Sequence, residues 1–143
     1  MRLVDITLKV LGISEAIRKW QSVARDLDGN RRDRIARYAE EIAGTIARIA
    51  DAMGRLAELP GDRASLMVIT RELGRLSGYI ETIVACLEGR IDGRGLNGVK
   101  RRLESLREGA VMGTAAQPVD AGQIDRLVAA EGYFRALADS LRT

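Results

Sequence analysis

Between Ile35 and Leu56 the apolar side chains fall alternately four and three positions apart, at Ile35, Ala39, Ile42, Ile46, Ile49, Met53 and Leu56. That alternation draws one apolar seam along a helix, as in helices packed into a left-handed bundle. Leu66, Ile69, Leu73, Leu76, Ile80, Ile83 and Leu87 repeat it. Two helices are therefore predicted over about residues 31–59 and 62–90. Each would be roughly 42 Å long at about 1.5 Å per residue. The short "PGD" between them, with Pro60 as stop and Asp62 as N-cap, folds the pair into an antiparallel hairpin.

Three further segments carry the same signal. Leu3, Ile6, Val10, Ile13, Ile17, Trp20, Ala24 and Leu27 form a seam over residues 3–28. Val4, Ile6, Leu8 and Val10 also alternate with the period of a strand. With no second strand to pair with, helix is preferred throughout, kinked near Gly12. A shorter helix is expected over 97–111, with Leu96, Val99, Leu103, Leu106 and Ala110 on one face. After a connector of small residues at 112–119, Asp120 and Gln123 form a capping box, with Val119 and Ile124 spaced as a hydrophobic staple. They open a last helix over 120–142, with Leu127, Ala130, Phe134, Leu137 and Leu141 on its apolar face. No helix buries its own seam. The predicted fold is all-α, one domain over 1–143: an antiparallel up-down bundle of four main helices with a C-terminal fifth packed on or extended from it.

Composition sharpens this picture in two respects. Aromatics are only 3% of the chain, with Trp20 and Phe134 on apolar faces, so the core is aliphatic. Of 23 cations all but Lys9, Lys19 and Lys100 are arginine, whose planar fork suits carboxylates and phosphates. A biased genomic base composition would give the same excess. The net charge is a mild +3. Cys86 is the single cysteine, which excludes an intrachain disulfide, and it is expected in or near the core. No apolar run approaches the roughly 20 residues of a membrane span, and the first residues lack the apolar centre of a signal peptide. A cytoplasmic protein is expected.

The chain contains no histidine, which rules out Cys–His and Ser–His–Asp catalysis and histidine zinc sites. Its carboxylates lie in arginine-rich helical stretches without the Glu–His motifs of di-metal bundles. The expectation is a protein that is not an enzyme, with no cofactor, metal or small-molecule substrate. "GRGLNG", residues 93–98, matches the glycine pattern of dinucleotide-binding loops, but "LEGRID" before it is the polar end of a helix rather than a strand. It is expected to be an inter-helix loop, with glycines at a helix C-cap and turn.

Charge is more informative than glycine. Arg31, Arg32, Arg34 and Arg37 crowd the start of the second helix, and Arg90, Arg94, Lys100, Arg101 and Arg102 lie around the start of the fourth. Cations in a first turn oppose the helix dipole by ~0.3–1 kcal/mol each where exposed. In an up-down bundle these helices run the same way, so both clusters, with free backbone N–H groups, meet at one end as an anion-binding surface. The competing expectation is that they are solvated or paired with Asp26, Asp28 and Asp33. Gly74 and Gly78 form a G-x-x-x-G expected to let another helix pack closely.

Three functions fit these features. The first is an interaction or assembly module that docks other chains, or itself, through apolar helix faces, with a basic end for anionic ligands. Val4, Leu8, Leu11, Met67, Val84 and Val111 supply the surplus apolar surface. The second is a sequence-independent nucleic-acid-binding subunit of a larger complex, since no aromatics interleave with the basic clusters for base stacking. The third is a membrane-acting bundle that releases its apolar residues 1–13 onto anionic lipid.

Overall fold

The computed structural model describes residues 2–112 and 119–142, without the side chains of 111 and 112. Among these residues every regular element is a helix: α1 (Leu3–Lys19), α2 (Gln21–Arg25), α3 (Gly29–Glu58), α4 (Arg63–Leu87), α5 (Gly93–Met112) and α6 (Ala121–Leu141). The predicted connector at 112–119 lies mostly outside the described residues.

Several boundaries differ from expectation for local reasons. Helix α1 runs unbroken through Gly12, and the first segment divides instead at Trp20. There the Trp20 N–H bonds to the Ile17 carbonyl, three residues back, and tightens the last turn. Helix α5 starts at Gly93 rather than near 97, so "GRGLNG" is helix rather than loop. The Asp92 side chain accepts the Gly95 N–H at 2.9 Å, a cap that offsets the poor helix propensity of the three glycines. The glycine that ends α4 is Gly89, at φ +87°, a conformation costly for any residue with a Cβ. Asp120 caps α6 as the sequence suggests, accepting the Gln123 N–H, and Asp28 caps α3 in the same way, accepting the Arg31 N–H.

The long helices form a closed ring in the order α1, α5, α4, α3, α6 and back to α1. Arg48 and Arg55 of α3 reach Glu72 and Ser65 of α4, as antiparallel neighbours must. Lys100 and Arg107 of α5 likewise pair with Glu88 and Glu81 of α4. Helix α6 departs from the expected plan. It lies between α1 and α3 as a full member of the bundle, with Phe134 only 1% exposed. Arg18 stacks over Tyr133 and Gln21 donates to Ser140, so α6 runs parallel to α1, the direction that up-down alternation gives a fifth long helix. Helices α1, α4 and α6 thus rise together while α3 and α5 descend.

The core is aliphatic, and its few polar groups are mostly satisfied locally. The hydroxyls of Thr7, Ser14, Thr45 and Ser77 donate to carbonyls one turn back in their own helices. Two are not fully satisfied: Gln123 has its Oε1 unbonded, and Glu72 is 1% exposed, with Oε1 facing Arg48, Arg71 and Arg75 and Oε2 unbonded. Gly74 and Gly78 are not a packing seam within this chain. Both are exposed, and nothing lies within 4 Å of where a Cβ would stand.

Candidate anion-binding surface

The ring closes least tightly where α1 meets α5, because small residues face each other there. Gly12 and Ala16 on α1 oppose Gly95 and Gly98 on α5, and between them runs an open groove of about 820 Å³. Lys9 and Lys19 line it from α1, and Arg94, Arg101 and Arg102 from α5, against the acids Glu15 and Asp92. The walls therefore carry a net positive charge. Trp20 closes the end near the start of α5. It is 8% exposed, and its indole Nε1 would lie 3.7 Å from a Cβ on Gly95. Arg102 crosses α1 over Gly12, so close that a Cβ there would stand 2.9 Å from its Nε.

The starts of α3 and α5 flank the end of α4. There Arg31 and Arg34 lie beside Cys86 and Glu88, and Lys100 pairs with Glu88, while Arg102 reaches farther along, over Gly12 of α1. The members of the two predicted basic clusters are used differently. Arg31 pairs with Asp28, the α3 cap, at 3.6 Å. The backbone N–H of Arg31, then its guanidinium, hold the Asp28 carboxyl below the usual aspartate range. Arg32 turns inward and donates to the Arg25 carbonyl. Arg37 stacks over Tyr38, and Lys100 bridges to Glu88 at 2.6 Å. These four belong to the fold's own contacts.

Arg34, Arg90, Arg94, Arg101 and Arg102 make no ion pair among the described residues. Arg94, Arg101 and Arg102 line the groove. Arg31 and Arg34 share a smaller recess with Thr82, Cys86 and Glu88 across α4. Cys86 is half-buried, packed against the edge of the core as expected and facing these arginines. The backbone N–H groups expected to be free at this end are partly taken, since Asp28 and Asp92 cap α3 and α5. Side-chain guanidinium groups, not helix termini, are what this end offers to an anion.

Half of the groove was not foreseen. Lys9, Gly12, Ala16 and Lys19 recur at helical spacing on α1, and Arg94, Gly98, Arg101 and Ser105 do so on α5. This paired stripe of small and basic residues was the available signal, and it is weak on either helix alone. Compared with known proteins, the chain matches no family model, no curated protein and no solved structure.

Proposed function

We propose that this protein is a non-enzymatic docking module, a helical bundle that holds a partner protein through acidic groups bound at its basic end. The observation that carries the reading is the gathering of arginines without ion-pair partners from α3 and α5 around one end of the bundle. Arg94 stands in the first turn of α5, where a cation opposes the helix dipole, and Arg101 and Arg102 stand beside like charge, so their placement costs stability that a bound anion would return. Apolar docking has less support. The exposed large apolar residues Leu8, Met67 and Val128 lie on three different helices and Leu59 just past the end of α3, and Val84 is buried.

A polyglutamate peptide should bind the protein with an affinity that falls as salt rises. Replacing Arg34, Arg94 and Arg101 together with Glu should abolish that binding without loss of helicity. Failure of polyglutamate to bind the unaltered protein contradicts the proposal. Tighter binding of a mixed-sequence oligonucleotide than of polyglutamate, with a steep salt slope, favours the nucleic-acid reading instead. Release of residues 1–13 onto lipid has the least support, because Leu3, Ile6, Val10 and Ile13 are each fully buried and would leave the core.

A further inference from the structure

We infer that the α1–α5 groove is a seat for one acidic amphipathic helix of the partner protein. The inference rests on the docking reading above and narrows it to one place and one shape of ligand. From Lys9 to Trp20 the groove follows α1 for about 16 Å at a rise of about 1.5 Å per residue, the length of roughly three helical turns.

Its floor is Ala16 with Gly12 and Gly98, across which the Arg102 side chain lies, so another backbone approaches closely once that flexible side chain swings aside, as helix-in-groove recognition requires. Its cations do not converge on a point, as they would for a lone phosphate. Lys9 and Lys19 stand near opposite ends of the α1 edge, and Arg94 and Arg101 stand two turns apart on the α5 edge. That spacing matches carboxylates about two to three turns apart on the two flanks of an apolar stripe. A nucleic-acid strand would find no exposed ring for base stacking here, because Trp20 is 8% exposed.

Trp20 is the single tryptophan of the chain and closes one end of the groove with its edge, so a change in its surroundings on binding is read from its emission alone. The probe is a synthetic helix of about three turns, with Leu and Ala on one stripe and Glu on both flanks. It should shift Trp20 emission saturably, and the same helix with Gln for Glu should bind at least about tenfold more weakly. Gly98→Leu fills the floor without changing charge. Its Cβ would meet only the Nη1 of Arg102 at 3.4 Å, the tip of a side chain that can swing aside, and Leu is the better helix former. This variant should lose the Glu helix by about tenfold or more while still binding polyglutamate at the basic end. Ala16→Leu provides the same test from the α1 side.

Undiminished binding of the Glu helix to both variants overturns the groove assignment and leaves the docking reading standing. Failure of both Glu helix and polyglutamate on the unaltered protein sinks the two together. Displacement of the Glu helix from Trp20 by an oligonucleotide of equal charge, at lower concentration, overturns the helical occupant.

Discussion

Glu72 shows how little a buried charge need contribute. Its carboxylate has lost nearly all its water, yet its three guanidinium partners are 44–67% exposed, so their attraction is screened. Desolvation and this screened pairing oppose each other, and Oε2 has no hydrogen-bond donor to add to the pairing. Removing the carboxylate leaves only arginines that water can solvate. Glu72→Met, which keeps the volume, should leave unfolding stability in urea within about 1 kcal/mol of the parent or raise it. A loss beyond about 3 kcal/mol would mean that the guanidinium groups hold α3 to α4. The pair between Glu40 and Arg142 is of another kind. Both are exposed, and the hydrogen bond from Arg142 holds the Glu40 carboxyl below its usual range. No sequence pattern joins residues so far apart.

At the level of elements, the apolar seams of α3 and α4 were plain because about six turns of unbroken alternation leave no competing period. What the seams hid were the ends. Asp92 resembles any loop acid until its carboxylate is seen on the Gly95 N–H, and that bond converts a glycine-rich stretch into a first helical turn. Trp20 ends α1 although nothing in its residue type marks a helix stop. Helix α6 was recognised by its cap but not by its place, since a seam names a buried face and not the neighbour that buries it. That place makes its start matter. Asp120→Ala removes the bond to the Gln123 N–H and should cost about 0.5–2 kcal/mol. Amide exchange should then quicken through α6 and in the facing turns of α1 and α3. Exchange confined to the first turn of α6 would show that the helix is not a keystone of the ring.

For the whole molecule, the decisive feature is direction. Because α3 and α5 descend together, arginines more than fifty residues apart in sequence meet at one end. This was legible from the even number of reversals between them. The groove was not, because it depends on α1 closing the ring against α5, a long-range pairing that leaves only small residues as its trace. The most direct test is a photo-crosslinking residue in place of Glu15, on the groove's edge, with one at Gly78, on the exposed face of α4, as reference. In the native cell, position 15 should capture a protein segment rich in Asp and Glu at helical spacing. That capture should vanish when Arg94 and Arg101 are Glu, and position 78 should not show it. Equal capture from both positions, or capture of nucleic acid at position 15, would contradict the account.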